Sequence, residues 1–118
     1  MYLRGPPMKP MIANLEKLLD GPRDGAMLRF SLGNAWLSED PLKAADYFRK
    51  AVDFDPDYSA AWKALGKALL QSAQPGAALT AWQRGIEVAE KKGDLQAARE
   101  MKVFARRIEK TGDAPGSS

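Results

Sequence analysis

The chain has 118 residues, enough for one domain with a real core, and it contains neither cysteine nor histidine. Disulfides, thiolate metal sites and histidine-based acid–base chemistry are therefore excluded; with only carboxylates, lysines and hydroxyls left, no enzymatic activity, metal or cofactor is expected. Hydrophobic residues at 45% make the chain too apolar for disorder, and the net charge of +3 is concentrated, with seven Lys or Arg against three acids over residues 91–110.

Proline and glycine divide the chain at GPPMKP (5–10), DGPRDG (20–25), EDP (39–41), DP (55–56), QPG (74–76) and KKGD (91–94). Residues 1–10 precede the first periodic segment and are expected to be disordered. A short helix is expected at 11–19, where Ile12, Leu15, Leu18 and Leu19 share one stripe. Longer helices are expected at 26–38, 42–54, 58–72, 76–91 and 95–110. Pro56 ends the third helix, and Asp57 or Ser59 can cap the fourth. The fourth sets Trp62, Leu65, Gly66 and Leu69 on one face, and the last does the same with Leu95, Ala98, Met101, Ala105 and Ile108. Residues 111–118, TGDAPGSS, read as a disordered tail.

No segment alternates as a strand does, so the fold is expected to be all-α, with short turns making sequence neighbours antiparallel. No apolar run approaches the roughly 20 residues of a membrane span, and the start MYLRGPPMKP has no apolar signal core, which leads to the expectation of a cytoplasmic protein without a membrane partner.

The chain repeats itself. At a shift of 34, Pro41 matches Pro75, Ala44 matches Ala78, Phe48 matches Trp82, Ala51 matches Gly85 and Val52 matches Ile86; Leu32-Gly33 matches Leu65-Gly66 at a shift of 33. One unit, 26–58, thus carries Leu32-Gly33-x2-Trp36, then Ala44-x3-Phe48, Ala51 and Pro56. The next, 59–92, carries Trp62-x2-Leu65-Gly66-x2-Leu69, then Ala78-x3-Trp82. This pattern resembles the tetratricopeptide repeat over residues 26–92, with Arg29 standing where tryptophan is preferred and Glu90 where proline is. The resemblance implies an α-solenoid of two helical hairpins, with 11–19 and 95–110 as capping helices; alternatively, the last helix begins a third, incomplete unit. Within a hairpin, Gly33 and Gly66 are expected to face Ala44 and Ala78, while Phe48, Trp62 and Trp82 fill the space between hairpins. An apolar end left over could be covered by a second copy of the chain.

The resemblance also implies a non-catalytic adaptor that cradles a protein or peptide in a concave groove lined by the first helix of each hairpin. By position, Met27, Phe30, Asn34 and Leu37 line it from one unit, and Ala60, Lys63, Lys67 and Leu70 from the other. Their i, i+3, i+7, i+10 spacing independently sets them beside the signature stripe. Met27, Phe30 and Leu37 could instead pack under the N-terminal helix. Some members of the family clamp a carboxylate here; Asn34 fits one clamp position and Lys63 and Lys67 supply charge, but Phe30 stands in place of a lysine and Ala64 in place of an asparagine.

Two further clusters stand outside that pattern. Arg99, Lys102, Arg106 and Lys110 form a basic stripe on the last helix, an alternative surface for nucleic acid or an acidic protein. No aromatic platform interleaves with it, which favours a solvated face. Asp53, Asp55 and Asp57 lack the glycine and distal glutamate of a calcium loop and read as turn and cap residues.

Overall fold

The computed structural model describes residues 8–111, and every regular element among them is an α-helix. They run α1 (Met8–Glu16), α2 (Ala26–Trp36), α3 (Pro41–Phe54), α4 (Ser59–Gln71), α5 (Pro75–Lys92) and α6 (Leu95–Thr111). Residues 1–7 and 112–118, which hold most of the ends expected to be disordered, lie outside the described residues. Within them, the first helix begins at Met8 rather than at residue 11, and Thr111 is still helical. Leu18 and Leu19 lie in a turn after α1, and Leu37 in the turn after α2.

The helix boundaries have local causes. Pro41 and Pro75 each occupy the first turn of their helix, where a missing N–H sacrifices no hydrogen bond. The Asp40 side chain caps α3 by accepting from the Lys43 N–H at 3.1 Å. Pro56 confines α3 to 14 residues, whereas Glu90 at the matching place in α5 lets that helix run to 18. The expected caps of α4 are not used. Tyr58 is its N-cap and offers no side-chain bond; the Asp57 N–H donates to Asp55 Oδ1 at 3.0 Å, and Ser59 Oγ donates to Asp94 Oδ2 at 2.7 Å. Asp94 in turn accepts from the Ala97 N–H at 3.3 Å, so one carboxylate starts α6 and ties it to α4.

Each helix from α2 onward packs against its sequence neighbours, and α4 also touches α6. Short turns make α2, α4 and α6 run parallel in one layer, with α3 and α5 antiparallel in the other. The least dimension of the molecule, 21 Å, matches two helix diameters of about 10–12 Å each. Phe48 and Trp82 are 0% and 1% exposed and sit at the centre of the main core. A smaller cluster of Ile12, Leu28, Leu32 and Ala35 joins α1 to the outer side of α2, with Leu15, Leu18, Leu19, Trp36 and Tyr47 packed around it.

Gly33 and Gly66 are buried where the repeat requires small residues, and the atoms nearest to them belong to rings. Ala44 and Ala78 are fully buried, yet what lies over each glycine is the aromatic ring one turn further along. A Cβ on Gly33 would stand 2.5 Å from Phe48 Cε1, and one on Gly66 would collide with the indole nitrogen of Trp82, 2.5 Å from its Cδ1. Glycine here clears room for a ring. The buried face of α6 differs too: Ala97, Ala98, Met101, Ala105 and Ile108 form it, and Leu95 is 57% exposed.

Candidate functional site

The layer of α2, α4 and α6 carries the residues expected to meet a partner. On α2, Met27 is 76% exposed and Asn34 is exposed, about two turns apart on the same side. Phe30 is half-buried, with ring centroids 5.7 Å from Phe48 and 5.0 Å from Tyr58, and burial pushes the Tyr58 hydroxyl above its ordinary value. Leu37 is half-buried against the main core. The packing of α1 therefore uses Leu28, Leu32 and Ala35 rather than Met27, Phe30 or Leu37, and α1 covers the outer side of α2. On α4, Ala60 and Lys63 are half-buried, while Lys67 and Leu70 are exposed.

The last helix contributes more to this face than sequence reasoning gave it. Lys63 Nζ pairs with Glu100 Oε1 at 2.6 Å, and that lysine holds the Glu100 carboxyl below the usual carboxylate range. Ala60, Lys63, Asp94, Gln96, Ala97 and Glu100 line a polar recess of about 180 Å³ between the N-terminal halves of α4 and α6. Asp94 is likewise held low, by the Ser59 hydroxyl and then by the Ala97 N–H. At the other end, Leu70, Trp82, Phe104, Arg107, Ile108 and Thr111 line an apolar cavity of about 190 Å³. The Trp82 and Phe104 rings lie 5.2 Å apart there, and the indole N–H is satisfied by the Lys63 carbonyl at 3.1 Å. Gln96, Glu100 and Phe104, at i, i+4 and i+8 along the flank of α6, are not among the residues the sequence reading singles out, and Arg107, which it sets beside the basic stripe, continues the same line at i+11.

Arg29, at the place of a tryptophan, answers a different need. Its guanidinium donates from Nε to Asp24 Oδ1 at 2.8 Å and from Nη2 to Asp24 Oδ2 at 2.6 Å, with both side chains largely buried. These bonds hold the Asp24 carboxyl down to about 2. Trp62, at the matching position of α4, donates its Nε1–H to the Pro56 carbonyl at 2.8 Å. In both units, then, this position fastens its helix to the segment just before it. Nearby, Glu16 Oε2 accepts from Tyr47 Oη at 2.7 Å and from Trp36 Nε1 at 3.4 Å, which fixes the end of α1.

The basic stripe of Arg99, Lys102, Arg106 and Lys110 lies along the exposed side of α6. Lys102 Nζ is paired with Glu90 Oε2 of α5 at 2.6 Å, the same Glu90 that stands in place of proline. No helix among the described residues is long and apolar enough to cross a membrane.

No family model matches the chain. The sequence is 43% identical over 101 residues to a TPR repeat-containing protein of Pseudomonas aeruginosa, an alignment that covers 85% of this chain and 96% of that relative. Among solved structures, the fold is similar to a Bordetella parapertussis protein determined in solution, with a TM-score of 0.73, 37% identity, and 86% and 89% of the two chains covered. It is also similar to the crystal structure of a tetratricopeptide repeat domain protein of Salinibacter ruber, with a TM-score of 0.66, 26% identity, and 73% and 97% covered.

Proposed function

The chain belongs to the tetratricopeptide repeat family, and from that premise we propose that this protein-interaction module is a non-catalytic adaptor holding a peptide or helix of its partner against α2, α4 and α6. In this reading residues 26–58 and 59–92 are the two repeat units, and α1 and α6 close the ends of the stack. The observation that carries it is the uneven use of α2 and α4: Leu32, Gly33, Leu65, Gly66 and Leu69 are buried on one side, while Met27, Asn34, Lys67 and Leu70 are left in solvent on the other. Met27 and Leu70 offer apolar surface to a partner, Asn34 and Lys67 offer hydrogen bonds, and Phe30 and Leu37 form the floor between them. Ala60 leaves room at the near end, and Lys63 braces α4 against α6.

Photo-crosslinking tests the proposal. A benzophenone amino acid placed at Asn34 or Lys67 should capture the partner from cells, and the same group at the exposed Arg84 of α5 should not. Adducts formed from Arg84 alone would place the partner on the opposite layer and reject the reading. In the basic stripe of α6, one of the four cations, Lys102, is paired with Glu90.

A further inference from the structure

Resting on the groove reading above, we propose that the cavity between α4 and α6 receives a phenylalanine- or leucine-sized side chain of an acidic peptide, whose carboxylates meet Lys67 and Arg107. The cavity walls are apolar, with Leu70 on one side, Phe104 and Ile108 on the other and Trp82 as the base. Its volume of about 190 Å³ exceeds the roughly 150 Å³ that suffices for a benzene ring. Since the Trp82 N–H already donates to the Lys63 carbonyl, the indole presents no unsatisfied donor and favours an apolar occupant. Leu70 remains 42% exposed at the rim, so the site is open to a side chain arriving from solvent.

The charges around the cavity choose the neighbours of that side chain. Lys67 lies three residues before Leu70 on the same side of α4, and Arg107 lies three residues after Phe104 on α6. Three cations of the molecule are already paired: Lys63 with Glu100, Lys102 with Glu90 and Arg29 with Asp24. Lys67 and Arg107 have no ion pair among the described residues, and Glu100, the acid that α6 turns to this face, is neutralised by Lys63. An apolar pocket with Arg107 in its lining and Lys67 one turn before Leu70 complements an anchor residue flanked by Asp or Glu, and it repels a basic peptide.

A random peptide library displayed on phage, selected against the full chain, tests this, with recovered sequences remade as fluorescein-labelled peptides and titrated by fluorescence polarisation. The expected peptides carry Phe or Leu beside acids. Replacing that anchor by alanine should weaken binding about thirtyfold, and Lys67→Glu or Arg107→Glu about fivefold each, with affinity falling as salt rises. Both positions are exposed, so circular dichroism should report unchanged helicity. Recovered peptides without acids, or peptides indifferent to both charge reversals and to Leu70→Asp, would overturn the inference. If those peptides were still lost on Met27→Asp or Asn34→Asp, the groove reading would stand alone; indifference to every variant on the face would remove both. A library that yields no binder also counts against the inference.

Discussion

Gly66 and Trp82 compete for one volume: a single methyl added to the glycine would meet the indole nitrogen of the tryptophan. The ring has no easy retreat, since it is 1% exposed, donates to the Lys63 carbonyl at 3.1 Å and packs against Phe104. Gly66→Ala is therefore expected to destabilise the fold by about 1–3 kcal/mol through overpacking, even though alanine is the better helix former by about 1 kcal/mol. Urea unfolding should show a lower midpoint at unchanged slope. In a Trp82→Leu background most of the cost should vanish; an equal cost in both backgrounds would mean that the ring is not what the glycine accommodates.

The Arg29–Asp24 pair makes a pH-dependent prediction. Asp24 has a carboxyl held at about 2, against 3.8 ordinarily, chiefly by the Arg29 hydrogen bonds. A value lower in the folded than in the unfolded chain means that the pair contributes fully above about pH 4 and that its contribution is lost as the pH falls toward 2. Asp24→Asn should lower stability at neutral pH by about 1–3 kcal/mol, because a largely buried guanidinium loses the nearer of its two carboxylates, keeping only Asp20 at 3.7 Å. The variant's stability should also fall less steeply than the parent's between these two pH values. Parallel curves would show that Asp24 does not titrate with folding.

These two sites mark where the sequence was legible and where it was not. The starts expected at residues 42 and 76 fall one residue after Pro41 and Pro75, because proline marks a break in the sequence through its own covalent geometry while also fitting the first turn, and the buried Phe48 and Trp82 followed from the repeat spacing. Which atoms come nearest to a glycine depends on side-chain length and rotamer, so the Phe48 and Trp82 rings over Gly33 and Gly66 were not legible in the spacing. Arg29 read as a missing tryptophan until its partner was visible. The bond from Lys63 to Glu100 spans 37 residues, and no local spacing rule reaches that far; without it, Lys63 read as a groove cation with no tie to the last helix. Leu95 failed for a simpler reason: the first turn of a helix can leave its apolar residue in solvent when Ala97 and Ala98 fill the contact.

The end of α1 depends on Tyr47, whose hydroxyl donates to Glu16 at 2.7 Å. Burial first, and then the hydrogen bond to Glu16, push that hydroxyl up to about 12. A value raised in the folded state means the contribution is intact below about pH 10 and is lost as the pH climbs through the folded value. Tyr47→Phe at neutral pH is expected to let α1 open more often while α2 to α6 stay folded. Hydrogen exchange should speed up about fivefold at residues 12–16, the equivalent of one lost hydrogen bond, and remain unchanged in α4. Uniform acceleration throughout would show that α1 opens only with global unfolding.

The turns after α4 and α5 are built alike but filled differently. After α5, the Asp94 N–H donates to the Ala89 carbonyl at 2.8 Å and the Gly93 N–H to Glu90 at 3.1 Å, with Gly93 left-handed at φ 83°. After α4, the Gln74 N–H donates to Leu69 at 2.9 Å and the Ala73 N–H to Leu70 at 3.0 Å, the same pair of bonds, but the left-handed residue is Ala73 at φ 60°. An L-residue with a Cβ is disfavoured there by roughly 1–2 kcal/mol, part of which glycine gives back through its freer unfolded chain. Ala73→Gly is accordingly expected to stabilise the protein by about 0.5 kcal/mol, a rise in melting temperature of about 2–4 °C. Gly93→Ala should destabilise it by a comparable amount. No atom beyond the local backbone lies within 4 Å of the Cβ that would be added there, so the backbone angle alone is tested. If the two substitutions shifted the melting temperature in the same direction, the left-handed residue would not be what governs these turns.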